Sequence, residues 1–233
     1  MKHGAASAWI RLSDLMTAVM MVFLLISVLY ISEVQKKEQE TKKLFIEYNQ
    51  NKKDIHAALQ EAFKDKFQEW DMVLDDDLTI KFNNPEVLFD YLKSDLTPKY
   101  KSILDEFLPT YLSILNNPEY RSNIKEVRIE GHTAYWDDYM YSIKLSQERS
   151  NAVLGYIFQS PYYNQLTDSD KEQMRFWLTS NGLGFGRAVD DGGKYVIESK
   201  SQISPKSRRV EFRIVTSSET LVDTLINKYQ ITK

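Results

Sequence analysis

RLSDLMTAVMMVFLLISVLYIS, residues 11 to 32, sets one acid, Asp14, at the start of an otherwise uncharged apolar run. No charged residue occurs from Leu15 to Ser32, and about 18 to 20 apolar helical residues cross the hydrocarbon core of a bilayer. The run ends in Tyr30-Ile31-Ser32-Glu33-Val34, with no small-residue cleavage site, so it reads as a retained anchor and not as a removed signal. Lys2 and Arg11 precede the helix, which places the N-terminus in the cytoplasm and the rest of the chain on the far side of a single membrane pass. The division expected is a short tail over 1–8, a transmembrane helix over 9–32, a periplasmic helical stalk over 33–70, a domain over 71–216 and a terminal helix over 217–233.

Asp14 has two readings. Ser13 or Asp14 can cap the helix among the lipid headgroups, where backbone N–H groups lack partners. Against this, an interfacial Trp9 puts Asp14 roughly 7 Å deeper along a continuous helix. At such depth a carboxylate is a functional feature, because desolvation raises its pKa and lets it exchange a proton near neutrality. Thr17 and Ala18 share its face and are small, leaving room for a neighbouring helix or a file of water.

The 233 residues suffice for one membrane helix and one soluble domain. A net charge of −3 with interleaved signs gives no footprint for nucleic acid. Cysteine is absent, which removes disulfides, thiolate metal sites and cysteine nucleophiles. No G-x-S-x-G or H-E-x-x-H occurs, and the three histidines show no metal-ligand spacing, so neither an enzyme nor a metal site is expected.

Beyond the membrane, Glu33 to Asp54 interleaves Lys and Glu without Pro or Gly and predicts a helix. Ile55, Leu59, Ala62, Phe63, Phe67 and Trp70 then recur at three- and four-residue spacing. That face either packs on the following domain or pairs two copies of the chain. Leu78–Phe82, Val127–Glu130 and Arg209–Ile214 alternate as strands, the second ending at Gly131. Helices are expected from Pro98, interrupted or bent at Pro109, over Tyr139 to Phe158, and over Leu221 to Tyr229. Tyr162, Tyr163, Phe176 and Trp177 are read as a cap, with Gly182, Gly184 and Gly186 turning the chain back into a strand. Gly-Leu-Gly-Phe-Gly lacks the context of a phosphate cradle. The fold class is α+β, a mixed sheet with helices on one face.

Trp9, Ser13-Asp14-Leu15-Met16-Thr17-Ala18, Met20, Met21 and Phe23 together resemble the membrane helix of the MotB family of stator proteins. The resemblance implies that Asp14, with Thr17 beside it, conducts ions, and that two such helices sit inside a ring of five MotA-like subunits. Ile129-Glu130-Gly131-His132-Thr133, Leu145-Ser146-Gln147-Glu148-Arg149 and Ser207-Arg208-Arg209-Val210-Glu211 resemble, in that order, the OmpA C-terminal-like peptidoglycan-binding domain, over roughly Trp70 to Val215. By that resemblance Thr133, Tyr141, Ser142, Leu145, Arg149 and Arg209 are the wall-binding candidates, holding a diaminopimelate side chain.

The family's acid after Thr133 is replaced by Ala134, so Asp137 or Asp138 is a candidate substitute. The plainer alternatives are a surface ion pair for Arg149, a sheet-edge charge for Arg209 and a satisfied strand-end histidine for His132. The short tail, Ala134 and Ile103–Tyr111 resemble the ZorB family of Zorya anti-phage defence systems more than flagellar MotB. That resemblance implies a ZorA ring as partner and an inner-membrane motor without cofactor, a proton being favoured over sodium as the transported ion. The alternatives are a flagellar stator and a passive tether between membrane and wall.

Overall fold

The computed structural model describes residues 3–134 and 138–217; the helix expected over Leu221 to Tyr229 and the candidate Asp137 lie outside them. In chain order the main elements are α1 (His3–Phe63), β1 (Met72–Leu74), β2 (Thr79–Phe82), α2 (Pro85–Leu88), α3 (Pro98–Leu115), α4 (Pro118–Arg121), β3 (Ile124–Gly131), α5 (Tyr139–Gln159), α6 (Pro161–Gln165), α7 (Asp168–Trp177), β4 (Leu178–Gly182), α8 (Val196–Ser199) and β5 (Val210–Thr216). The chain divides into two compact units, Met1–Glu47 and Tyr48–Lys233.

In the first unit α1 carries its apolar run fully outward: Leu15, Met20, Phe23 and Leu29 are all more than 60% exposed. Ser13–Lys43 contains a segment long and apolar enough to cross a membrane. Such a surface on a soluble helix would collapse onto another apolar surface, so its natural surroundings are lipid or other helices. Past the run, Glu33 pairs with Lys37 at 2.9 Å and Glu38 with Lys42 at 2.6 Å. Glu four residues before Lys is the favourable order on a helix face, and the Lys/Glu alternation is thus accounted for locally.

In the second unit a five-stranded mixed sheet has the order β1-β2-β5-β3-β4, antiparallel except for the parallel β3–β4 pair. Val127 and Ile129 of β3 stand opposite Ile214 and Phe212 of β5, giving one continuous apolar face. Phe107 of α3 lies on it, 5.2 Å from Phe212, 5.3 Å from Phe82 and 5.0 Å from Phe63 at the end of α1. Ile55, Leu59, Phe63 and Trp70 are buried in this same core, so the face expected to pack on the domain or pair with a second copy packs on the domain.

Among the described residues five strands are present where three were expected. β1 is only three residues long, and β4 reads Leu-Thr-Ser-Asn-Gly, which has no apolar alternation; pairing with β3 makes it a strand. Gly182 therefore ends β4, and Gly184 and Gly186 follow it and lead the chain out of the sheet instead of back into it. α3 runs through Pro109 without interruption. The backbone hydrogen bond that proline removes is outweighed by burial of Phe107, Leu108, Tyr111, Leu112 and Leu115 around it. Of the expected cap, Trp177 is buried and donates from its indole to the Ile124 carbonyl at 3.1 Å, Tyr163 is buried, and Phe176 is 73% exposed.

Gly131 and Gly182 end the parallel strands directly beneath α5. A Cβ on Gly131 would stand 2.2 Å from the Ser146 carbonyl oxygen, and one on Gly182 2.4 Å from the Gln147 nitrogen. Neither backbone atom can swing aside, so Gly131→Ala is expected to destabilise the domain by about 3 kcal/mol, read as a lowered denaturation midpoint.

Candidate functional site

Asp14 is exposed on α1, one helical turn before Thr17, whose hydroxyl donates to the Ser13 carbonyl at 2.8 Å. Thr17 is thereby tied to the helix backbone, while its small side chain leaves the acid's face open. The two predicted ion-conducting residues share one face of an exposed helix.

In the second unit α5 begins at Asp138, whose carboxylate accepts from the backbone N–H groups of Met140 (2.8 Å) and Tyr141 (3.2 Å). Asp138 is engaged as a helix cap and does not replace the acid absent at Ala134. The cap starts the helix so that Tyr141, Ser142, Leu145 and Arg149 fall on one side of it. Ser146 and Gln147, on the adjoining side, fix α5 to the end of β4: the Ser146 hydroxyl accepts from Gly184 N–H at 2.9 Å and the Gln147 side-chain oxygen from Gly182 N–H at 2.8 Å.

These four residues line a cleft of about 450 Å³ with Thr133 and Ala134, so five of the six predicted wall-binding residues converge there. The hydroxyls of Thr133 and Ser142 are buried and have no hydrogen-bond partner. Arg149 is 8% exposed; its Nε donates to the Lys93 carbonyl at 2.9 Å, and its guanidinium lies 4.9 Å from the centre of the Phe89 ring. Burial, and then the neighbouring Arg208, lower its pKa to about 10, against an opposing contribution from Tyr141. Among the described residues no carboxylate forms an ion pair with Arg149. A desolvated guanidinium without a counter-charge is a ready receptor for a carboxylate, which it can grip with two parallel hydrogen bonds.

Arg209, the sixth candidate, is not in the cleft. Strand alternation sends it to the opposite side of the sheet, where it is buried and donates to Glu211. Its neighbour Arg208 lines the cleft instead. Adjacent arginines entering a strand face opposite ways, and the sequence alone leaves open which faces the ligand. Also missed were Phe89 and the acids Glu86 and Asp90, which line the cleft as well, and the Lys93 carbonyl, which accepts from Arg149.

Beneath the opposite face, Glu130, His132 and Glu211 bring one potential metal-ligand atom each to within 4.8 Å of one another. His132 Nε2 is 3.5 Å from Glu211 and 3.9 Å from Glu130, whose carboxylate also meets Arg187 at 3.5 Å. Linear spacing missed this group because Glu130 lies on β3, His132 just past its end, and the third member arrives from β5. Arg209 and Arg187 already balance the two carboxylates, so the trio reads as a buried ionic network that holds the strand end preceding Thr133. His132 does stand just past the strand end, where its backbone N–H donates to the Arg209 carbonyl at 3.0 Å, but it is not the satisfied histidine expected: both ring nitrogens are buried without a hydrogen-bond partner.

No model of a protein family matches the chain. It is 34% identical to the Zorya protein ZorB of Escherichia coli (Crooks strain), over 94% of this chain and 92% of that protein. The chain belongs to the ZorB family. A second ZorB, from E. coli O139:H28, is 27% identical over 88% of this chain and 79% of that protein. Among solved structures, a MotB-like protein from Desulfovibrio vulgaris aligns over 76% of this chain and 98% of its own, with 19% identity and a TM-score of 0.46. This ZorB-family chain thus combines an exposed apolar helix bearing one acid with an α+β domain whose cleft carries a buried, uncompensated arginine.

Proposed function

We propose that this chain is the MotB-like subunit of an ion-driven inner-membrane motor acting in anti-phage defence, with its second unit anchored to peptidoglycan. The observation that carries the reading is Asp14: a lone carboxylate on an exposed, membrane-length apolar helix, which a passive tether has no use for. A single helix forms no ion path, so the motor needs a multi-span partner; a MotA-like ZorA ring of five around two copies of this chain supplies it. Asp14 takes up an ion from the periplasmic side, is neutralised, moves past a ring subunit and releases the ion inward. Each charge crossing gains about 2.3 kcal/mol per 100 mV of membrane potential. The ion is a proton, and the chain itself holds no cofactor and performs no bond chemistry. The wall-bound domain supplies the reaction torque. Loss of phage protection in Asp14→Asn, with membrane assembly intact, is the test.

The wall-anchoring half rests on the cleft. Arg149 and Arg208 meet a carboxylate of the peptide stem, while the hydroxyls of Thr133 and Ser142 offer further hydrogen bonds as the ligand seats. Arg149→Ala is expected to weaken co-sedimentation of the full chain with purified peptidoglycan at least tenfold, the scale of one charged hydrogen-bonded contact. Undiminished retention would place the wall contact elsewhere.

A further inference from the structure

Buried nitrogen and oxygen ligands converge at the end of β3, outside the cleft. His132 is 1% exposed and neither of its ring nitrogens makes a hydrogen bond. Glu130 Oε2, also buried, makes none. Buried polar atoms are satisfied almost without exception, and two such side chains left open beside each other call for a water or an ion between them. The spacing suits an ion. His132 Nε2 lies 3.5 Å from Glu211 Oε2 and 3.9 Å from Glu130 Oε2, and one ligand atom from each residue falls within 4.8 Å of the other two. A tetrahedral ion bound at about 2.1 Å holds its ligand atoms about 3.4 Å apart, so only the ends of these side chains have to move to reach one.

The neighbouring arginines play different parts. Arg209 donates to Glu211 Oε1 and to the Arg187 carbonyl, so it is a fixed outer partner that leaves Glu211 Oε2 for His132. The Arg187 side chain is 47% exposed and meets Glu130 only at 3.5 Å. It can withdraw into water and leave Glu130 to a dication. We propose that Glu130, His132 and Glu211 form a structural Zn²⁺ site, with water completing the tetrahedron and Arg187 as the counter-charge that zinc displaces. One imidazole and two carboxylates suit zinc, whereas calcium and magnesium ask for more oxygens than the trio offers. The ion ties β5 to the end of β3 at the residue preceding Thr133, and it takes no part in ion transfer at Asp14.

The test is zinc binding by the untagged full chain in detergent micelles, stripped with chelator and titrated with ZnCl₂, read as metal retained on gel filtration and as the denaturation midpoint. The native chain should retain about one zinc per molecule and unfold at a higher midpoint as free zinc rises, because an ion that binds only the folded state stabilises it. His132→Gln should bind zinc about a hundredfold more weakly, and His56→Gln, outside the trio, should bind as the native chain does. Arg187→Ala, altered at a half-exposed side chain, should bind zinc about tenfold more tightly, a gain that damage to the fold cannot produce. Should His132→Gln fail to fold, Arg187→Ala alone decides. A native chain that retains no zinc, a His132→Gln chain that retains it, or an Arg187→Ala chain that binds it no more tightly overturns the site. Retention of Mn²⁺ in preference to Zn²⁺ overturns the choice of metal.

Discussion

Asp14→Asn is expected to abolish protection against phage by the native operon, bringing plating efficiency to that of cells lacking the system, while the protein still reaches the membrane with its partner. Asparagine has nearly the same shape and can keep a hydrogen bond, but it cannot take up and release a proton. Neither Asp14 nor its neighbours hold α1 together through side-chain packing: the helix is exposed here, and the nearest side-chain bond, from Thr17 to the Ser13 carbonyl, does not involve the acid. The substitution should therefore remove ion transfer without removing the helix. Asp14→Glu keeps a carboxylate one methylene further out and should retain part of the protection. Full protection with Asp14→Asn would make the residue a helix cap and favour the tether.

The second large effect lies on the far side of the sheet. Glu211 is 5% exposed and bonded to Arg209, and its pKa falls to about 2. Burial alone would raise it, but the contact and charge of His132 and the charge and hydrogen bond from Arg209 outweigh burial. A carboxylate whose folded pKa lies below its ordinary 4.5 adds stability above that value, and the contribution is lost as pH falls from 4.5 through about 2.

Glu211→Gln is expected to lose about 3 to 5 kcal/mol at pH 7, where it leaves the buried Arg209 guanidinium beside a neutral group. The deficit should shrink as pH drops toward 2, because the native chain then surrenders the same contribution. His132 acts in the same sense: burial lowers its pKa, so acid below its ordinary 6.5 favours the unfolded chain. Glu130 acts oppositely, since burial and the charge of Glu211 raise its pKa. Denaturant unfolding of the full chain in micelles, followed across this pH range, measures the difference; a constant gap between the two proteins would contradict the network.

The parts legible from sequence were those whose signal is local. The uncharged run from Leu15 to Ser32 and the alternation of Val127–Glu130 and Arg209–Ile214 follow from helix or strand periodicity, whereas Tyr141, Ser142, Leu145 and Arg149 were singled out by the resemblance to the OmpA C-terminal-like domain; the structure places those four along one cleft. β1 and β4 escaped because pairing, not composition, makes them strands. Pro109 was over-weighted because its cost is local while the burial that outweighs it is not. The division of Arg208 to the cleft and Arg209 to the buried network depends on register against β3, and Glu86 and Asp90 enter the site only through a turn held by Arg149. No spacing rule along the chain connects residues 86–93 to residue 149.

The most direct measurement is ion flux. The native chain, co-reconstituted with the multi-span MotA-like partner in liposomes that hold a pH-sensitive dye, should acidify the lumen when a potential is applied, and the Asp14→Asn chain should do so no faster than empty liposomes. Equal flux from the two chains, or none from the native assembly, would contradict an ion-carrying role for Asp14.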